Sequence, residues 1–303
     1  MIVPDRVVGA VEAVLAERTG RPARIAGATR VGGGCVSPVA RVETDEGDAF
    51  FVKWGAVETT QDAPPGMLAS EADALRALAA ARNVRVPEVI AVEDGAPGAP
   101  SWLLLEWLEP GSARPGTWRE LGAGLADLHR NLAETFGWHG DNFIGPLHQT
   151  NTSAASWPEF WRIRRLEPQL RSAVDAGYLA DEQARFERLF ATMDDLLAGV
   201  SDASLLHGDL WNGNVHVMHD GTPALVDPSV YHGHREVDLA MSELFGGFGR
   251  EFYQAYQEAW PVETAYQDGR RAVYQLYYLL VHVNLFGGSY VASVRERLHA
   301  VGA

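Results

Sequence analysis

The sequence predicts an α+β chain of two unequal parts: a small β-sheet part over residues 1–107 and a larger, mostly helical part over 108–303. Three observations predict it. Short runs with strand character crowd the first third. After Glu109-Pro110-Gly111 the apolar residues fall at helical spacing instead. Late in the chain, a hairpin pattern separates the polar cluster His207–Asn214 from Asp227.

Val7, Val8, Val11, Val14 and Leu15 recur at helical spacing and Gly20 supplies a stop, so a helix is predicted over 5–18. Val39–Glu43 and Ala49–Trp54 read as strands joined by the turn Thr44-Asp45-Glu46-Gly47-Asp48. Polar residues and prolines make 60–66 a loop. The Ala/Leu-rich run Ser70–Arg82 reads as a helix with Ser70 near its start. Val84–Val92 and Trp102–Trp107 are two further strands around the loop Glu93–Pro100. The first third is thus a small sheet with one helix packed across it, and the link to the second part falls near 107–111.

Thr117 and Glu120 have capping-box spacing for a helix reaching about Glu134, and Ser156 and Glu159 repeat it for a helix stopping near Gly177. Asp181–Leu197 is a third helix, with Gly199 behind it. Val215–Val217 and Ala224–Val226 flank Asp220-Gly221 as a hairpin. From Glu236 onward the pattern is helical, broken at Gly246-Gly247 and Gly287-Gly288. No repeat or low-complexity segment interrupts this order.

The segment His207-Gly208-Asp209-Leu210-Trp211-Asn212-Gly213-Asn214 places an Asp five residues before an Asn, and Val226-Asp227-Pro228 adds an Asp beyond an apolar run. This is the layout of a kinase catalytic loop followed by a metal-binding Asp, so a bilobal protein-kinase-like fold is predicted. Phosphoryl transfer needs these residue types. A carboxylate, Asp209, orients the attacking hydroxyl and accepts its proton. An amide oxygen, Asn214, and a second carboxylate, Asp227, hold Mg²⁺ against the phosphates of ATP, because hard cations take oxygen ligands. Each residue alone could be a turn or a strand end; the joint spacing favours the chemistry.

Val31-Gly32-Gly33-Gly34-Cys35-Val36-Ser37 precedes the first strand pair. Glycines let backbone amides approach phosphate closely. Ser37 stands where Gly-x-Gly-x-x-Gly would have its third glycine, and a flexible turn fits the segment equally. Lys53 lies in the apolar run Phe50–Trp54. Alone it reads as a snorkelling surface lysine. With Asp209, Asn214 and Asp227 downstream it reads as the lysine that holds the α- and β-phosphates. Glu71, near the start of the next helix, is the carboxylate expected to orient it, with Glu58 and Asp73 as rivals. Leu103–Leu108 is an apolar strand ending at the link. In kinase-like folds the backbone there, at Glu106 and Leu108, hydrogen-bonds the adenine edge; a buried strand without ligand has the same pattern.

The chain has 303 residues, 47% of them hydrophobic, and a formal net charge of −15. The negative balance argues against nucleic acid and against anionic membrane surfaces as partners. Cys35 is the single cysteine, so no intrachain disulfide forms, which fits a reducing cytoplasm. The N-terminus lacks the basic patch and apolar run of a signal peptide. Val273–Phe286 is too short, and with Gln275, His282 and Asn284 too polar, to span a bilayer. A cytoplasmic location is expected.

With these residues in place, the chain resembles the fructosamine-3-kinase (ketosamine-3-kinase) family, within the protein-kinase-like and aminoglycoside-phosphotransferase-like group, over nearly its whole length. The resemblance rests on Gly32–Ser37, His207–Asn214, Tyr231–Met241 with Leu244–Phe248, and Leu276–Gly288. It continues through Phe136-Gly137, Asn142, Gly145, Gln149, Asn151 and Trp157–Leu170. The Trp in His-Gly-Asp-Leu-Trp and the run Arg235–Met241 are specific to this family. The chain departs from it at Val281, where Asn is common. Relative to protein kinases, Gly208 replaces the Arg that docks a phosphorylated activation loop and no Ala-Pro-Glu segment follows, which argues against protein serine/threonine kinase activity.

The resemblance implies phosphorylation by ATP of the 3-hydroxyl of ketosamines, the ribulosamine or fructosamine adducts formed when sugars glycate amines. The partners implied are ketosamine small molecules or glycated amines on proteins. Phosphate on the third carbon leaves once the neighbouring ketoamine enolises, which frees the amine and so begins deglycation. The resemblance also implies that Trp211 stacks on the sugar or walls its pocket, a core Trp being the alternative. His234, Arg235, Glu236 and His282 are further substrate candidates, and Asp238 is expected to buttress the catalytic loop. Cys35 is either a small packing residue or a thiol that pairs with Cys35 of a second chain, so a monomer and a redox-linked dimer both fit. Two other functions stay open at this point. One is a small-molecule kinase of the aminoglycoside or choline type. The other is a silent pseudokinase used as a binding module, against which the complete set Lys53, Asp209, Asn214 and Asp227 argues.

Overall fold

The computed structural model describes residues 2–32, 37–55, 64–94 and 100–303. The chain divides into two compact units, Met1–Ser112 with His216–Asp227, and Ala113–Val215 with Pro228–Ala303.

In the first unit, α1 (Asp5–Thr19) buries Val7, Val11 and Leu15 along one stripe and ends at Gly20, whose φ of +70° suits a residue without a Cβ. Strands β1 (Ile25–Arg30), β2 (Val39–Thr44) and β3 (Ala49–Trp54) are followed by α2 (Met67–Ala81), β4 (Val89–Glu93) and β5 (Trp102–Glu106). The five strands form one antiparallel sheet in the order β1-β2-β3-β5-β4. The apolar stripe of α1 shares a core with Val42, Val52, Trp54, Trp102 and Leu104 of the sheet. On α2, Leu68, Ala72, Leu75 and Leu78 are buried, and the helix lies against β4 and β5.

Three expectations change here. The sheet gains β1 and carries two helices, not one. The helix α2 begins at Met67 instead of Ser70, because Gly66 at φ +85° caps it without a side chain; Ser70 Oγ donates to Gly66 O at 2.9 Å. The strand expected over Val84–Val92 is shortened to β4, because Arg85 pairs instead with the hairpin: Leu225 N–H donates to Arg85 O at 2.8 Å. The same hairpin is held by Gly111 N–H to Val217 O (2.9 Å) and His219 N–H to Glu109 O (2.8 Å), so residues 216–227 pack with the sheet unit.

The second unit opens with α3 (Thr117–His129), β6 (Leu132–Ala133), β7 (Asn142–Ile144) and β8 (Leu147–Gln149). Helices α4 (Trp157–Phe160), α5 (Glu167–Asp175), α6 (Gln183–Ala191) and α7 (Met193–Leu196) lead to β9 (Ala203–Leu206). Beyond the hairpin strands β10 (Val215–Val217) and β11 (Pro223–Leu225) come β12 (Tyr231–Gly233), α8 (Glu236–Leu244), α9 (Arg250–Ala259), α10 (Arg271–Phe286) and α11 (Val291–Ala300). Ser156 caps α4 as expected, its Oγ accepting from Glu159 N–H at 3.4 Å while the Glu159 carboxylate accepts from Ala155 N–H at 3.1 Å. A π-helical stretch, Trp161–Leu166, joins α4 to α5 and turns Trp161 and Arg165 inward. The box expected at Thr117 does not form. Gly116, at φ +93°, caps α3, and Thr117 Oγ1 accepts from Arg114 N–H at 3.0 Å. The helix also stops at His129, short of Glu134, because Leu132 and Ala133 pair with β9. The helix expected over Asp181–Leu197 breaks between α6 and α7 at Thr192.

The core helix of this unit is α10, in which every residue from Val273 to Val281 is buried. No described helix is long and apolar enough to cross a membrane. Helices α3 and α9 approach closely at Gly122, where a Cβ would stand 2.2 Å from Phe252 O. Gly122→Ala should therefore force the helices apart and cost about 1–3 kcal/mol. Urea unfolding with an unchanged midpoint would contradict this contact.

Candidate active site

In the first unit, the buried Lys53 Nζ lies 2.7 Å from Glu71 Oε1 and also pairs with Asp227 Oδ1. Burial works against the ammonium charge, but the two carboxylates outweigh it and raise the lysine pKa. Burial, reinforced by the charge of Asp227 and opposed by Lys53, pushes the Glu71 carboxyl up to about 7. The Lys53 ammonium is thus shared between two carboxylates, Glu71 and Asp227. Asp227 has a φ of +53°. A residue before proline normally takes extended backbone, so this left-handed Asp ahead of Pro228 is strained, as residues at functional sites often are.

The other predicted positions of this unit divide. Gly32 is exposed, and Ser37 is buried with its hydroxyl unpartnered among the described residues. Gly33, Gly34, Cys35, Val36 and Glu58 lie outside the described residues. Glu106 has partners within the sheet unit for both its backbone N–H and its side chain. Its N–H donates to Glu88 O (2.9 Å), and its carboxylate accepts from Glu88 N–H (3.0 Å) and pairs with Arg85. It staples the β4 edge of the sheet. Leu108 is buried.

In the second unit, Asp238 is sealed from solvent and accepts from His207 N–H (2.7 Å) and Gly208 N–H (2.9 Å). Ser229 N–H donates to His207 O at 2.8 Å as the chain returns from the hairpin. Gly208 has a φ of +84°, and a Cβ there would stand 2.0 Å from Ser229 O, so only glycine fits this position. Asn214 Nδ2 donates to Asp209 O (2.9 Å) and to Asp209 Oδ2 (3.0 Å). Both partners are acceptors, which fixes the amide orientation and turns Oδ1 away, where it accepts no hydrogen bond among the described residues. Trp211 is half-buried with its ring over Gly213, where a Cβ would meet it at 2.3 Å. The core-Trp alternative therefore does not hold.

His234, Arg235 and Glu236 need correction as substrate groups, because all three are enclosed. His234 Nδ1 lies 2.7 Å from Tyr274 Oη. Arg235 stacks on Trp260, 4.4 Å from its ring centre, and donates to Pro261 O at 2.6 Å and Trp260 O at 3.2 Å. The Glu236 carboxylate, pushed up to about 7 by burial, faces Arg270 at 3.7 Å. His282 is half-buried, walled by Phe245, Tyr290 and Phe286 with ring centres 4.5, 4.9 and 5.4 Å away. Its Nδ1 is 2.8 Å from Tyr278 O. A carbonyl only accepts, so Nδ1 carries the proton and Nε2 is an acceptor in the neutral ring, which burial favours.

Two residues of this site were not singled out by the sequence. His129 lies between Tyr256 Oη (2.8 Å, Nδ1) and Asp238 Oδ2 (3.2 Å, Nε2). Tyr278 Oη donates to Gly208 O at 2.8 Å. A lone His at a helix end, or a Tyr in an apolar run, reads as ordinary core. Only the fold shows what each hydroxyl or imidazole faces.

Among the described residues no group of three or more His, Cys, Asp and Glu side chains could hold a metal ion. Mg²⁺ characteristically takes one or two protein oxygens and completes its shell with phosphates and water. The Asn214 amide oxygen and the Asp227 carboxylate are hard oxygen donors of that kind.

An antiparallel sheet unit bearing the Lys53–Glu71 pair and a helical unit bearing the Asp209–Asn214 loop define a chain of the protein-kinase-like class. The same fold occurs in aminoglycoside phosphotransferase APH(4)-Ia, with a TM-score of 0.63 at 15% identity over 96% of this chain and 99% of that one. The chain belongs to the fructosamine kinase family, whose model matches residues 7–302. It is 38% identical to a probable ketoamine kinase of Synechocystis sp., over 94% of this chain and 93% of the relative. It is 36% identical to the chloroplastic protein-ribulosamine 3-kinase of Arabidopsis thaliana, over 90% and 82% respectively. A crystal structure from Thermobifida fusca, described as a fructosamine-3-kinase candidate, has a TM-score of 0.85 at 33% identity and covers 97% of this chain and 99% of its own.

Burial holds the His129 pKa below the ordinary imidazole value, although Asp238 pulls it upward. A group depressed in the folded state contributes stability above its unfolded value of about 6.5 and loses it as pH falls below that. The urea midpoint should therefore drop between pH 7.5 and 5.5, and the drop should be smaller in His129→Gln. Equal slopes in the two proteins would contradict a neutral buried His129.

Proposed function

We propose that this chain transfers the γ-phosphoryl group of ATP to the 3-hydroxyl of ketosamines, as small molecules or as glycated amines on proteins, and so starts their deglycation. The observation that carries the reading is the Asn214 amide locked on Asp209, which leaves one oxygen of Asn214 for a cation while it orients the carboxylate. In this reading Asp209 aligns the sugar hydroxyl and takes its proton as the new O–P bond forms. Asn214 and Asp227 hold Mg²⁺, and Lys53, steadied by Glu71, holds the α- and β-phosphates. Bound Mg-ATP supplies the phosphoryl group and the cation charge that balances it. Residues Gly32, Gly33, Gly34, Cys35, Val36 and Ser37 cover the phosphates, and the backbone at Leu108 meets the adenine edge. Trp211 and the acceptor Nε2 of His282 face the sugar and its amine. ATP as donor fits a cytoplasmic location.

A small-molecule kinase of the aminoglycoside or choline type is not favoured. The relatives matched over most of the chain are kinases of ketoamines and ribulosamine by name, whereas the likeness to APH(4)-Ia is one of fold.

Asp209→Asn should lower kcat on ribulosamine- and fructosamine-lysine by about 100-fold or more while Mg-ATP still binds. Near-normal turnover would end the base assignment. Asp227→Ala should instead weaken Mg-ATP binding by about tenfold or more in a calorimetric titration. An unchanged affinity would remove Asp227 from the metal site. Turnover of an aminoglycoside or choline in place of both ketosamines would overturn the substrate class.

A further inference from the structure

The peptide group that joins Gly208 to Asp209 is gripped at both ends. Its carbonyl oxygen accepts from Tyr278 Oη at 2.8 Å. Its N–H donates to His207 Nδ1 at 3.3 Å. A peptide unit is planar, so a donor on its oxygen and an acceptor on its nitrogen fix the plane and with it the Cα of Asp209. The Asp238 carboxylate fixes the peptide before it through the N–H of Gly208. The Asn214 amide fixes the Asp209 carboxylate beyond it. Of these four holds two come from outside the loop: that of Asp238 from α8, and that on the Gly208 carbonyl from α10. Tyr278 is fully buried there. Burial keeps its hydroxyl protonated throughout the working pH range, so it is a permanent donor.

We infer that Tyr278 is a positioning residue for phosphoryl transfer, acting on Asp209 through the carbonyl of Gly208. Without the hydroxyl, that buried carbonyl loses its donor, and the peptide turns to find another. The Asp209 carboxylate then leaves the line along which the sugar hydroxyl attacks. The ring is not needed for this, so Tyr278→Phe removes the hold and keeps the packing. The inference rests on Asp209 being the base.

The test is a double-mutant cycle on full-length protein with ribulosamine-lysine, following kcat and the KM for ATP, with Mg-ATP affinity and thermal midpoint measured alongside. Tyr278→Phe should lower kcat by about 10- to 100-fold, the scale of a small misplacement at a reacting centre, with the KM for ATP within about twofold of wild type. In the Asp209→Asn background the same change should have little further effect on the residual rate, because a residue that works through Asp209 has nothing left to position. Three outcomes overturn the inference: an unchanged kcat in Tyr278→Phe, a parallel loss of kcat, ATP affinity and thermal midpoint, or an undiminished loss in the Asp209→Asn background. If Asp209→Asn alone keeps its rate, the base assignment falls and the inference falls with it. A silent Tyr278→Phe beside an inactive Asp209→Asn removes only the positioning role.

Discussion

A carboxylate cut off from water persists as an anion only if hydrogen bonds and a countercharge replace its hydration. Asp238 meets that demand in a way that orders the rest of the helical unit. Two of its bonds come from the backbone of the catalytic loop, at His207 and Gly208. A third comes from His129, and the bonds upstream have a single direction. Arg235 Nη1 donates to Tyr256 Oη at 3.2 Å, Tyr256 then donates to His129 Nδ1, and His129 Nε2–H is left to donate to Asp238. A buried cation and a buried anion thus stand at the two ends of one chain of polar groups. Arg235 is consumed by this arrangement and by its stack on Trp260, which is why an arginine that resembles a substrate group in sequence is unavailable to one. The loop hangs from α8 because the anion needs the loop's amides as much as the loop needs the anion.

Two positions beside residues of the proposed chemistry, one in each unit, take backbone conformations that ordinary sequence rules disfavour. Gly208 and Asp227 both have positive φ, and a side chain on Gly208 would collide with Ser229 O. Asp227 adopts its conformation directly before a proline, with Lys53 holding its carboxylate. Aspartate tolerates the left-handed region better than most residues, so the chemistry and the conformation select the same side chain. Local rules are broken at these two positions, each at or next to a residue of the proposed chemistry, while the sheet and most helices obey theirs.

That contrast explains what could be read in the sequence. The strands β2, β3 and β5 and the helix α1 follow from alternation or helical periodicity because each has one face in a core. The strand β1 escaped, since only Ile25 of its six residues is buried and it carries no alternation. The start of α2 and the start of α3 were misplaced for one shared reason. Both are capped by a left-handed glycine, so the Ser and Thr nearby, which look like caps, bond elsewhere. β6, β9 and β12 have two, four and three residues, too short for a period to show. At the site, Asp209, Asn214 and Asp227 were legible because metal and base chemistry demand a spacing along the chain. His234 was misread because a buried polar residue looks the same in sequence whether it faces a ligand or an internal partner. His129 is 109 residues from the Asp238 it serves, and no local pattern reports a contact of that range.

The core helix α10 shows how such distant contacts are organised. Its middle is buried all round, so hydrophobicity alone would let it rotate about its axis with little penalty. Three phenols remove that freedom. Tyr274 lies 3.0 Å from Trp157 Nε1 and 2.7 Å from His234 Nδ1, Tyr277 donates to Gln149 Oε1 at 2.6 Å, and Tyr278 donates to Gly208 O. Their spacing of three and four residues places them on adjacent rows of one helix, each toward a different segment of the unit. Burial raises all three hydroxyl pKa values, so none is lost to ionisation at neutral pH. A rotation of α10 that broke one of these bonds would strand a phenol and its partner in an apolar interior, which is costly in a way that sliding methyl groups is not. The helix is therefore held in one orientation by polar groups inside an apolar core. Since one of those groups grips the peptide ahead of Asp209, the placement of that carboxylate is set as much by the orientation of a helix 70 residues away in sequence as by the loop that bears it.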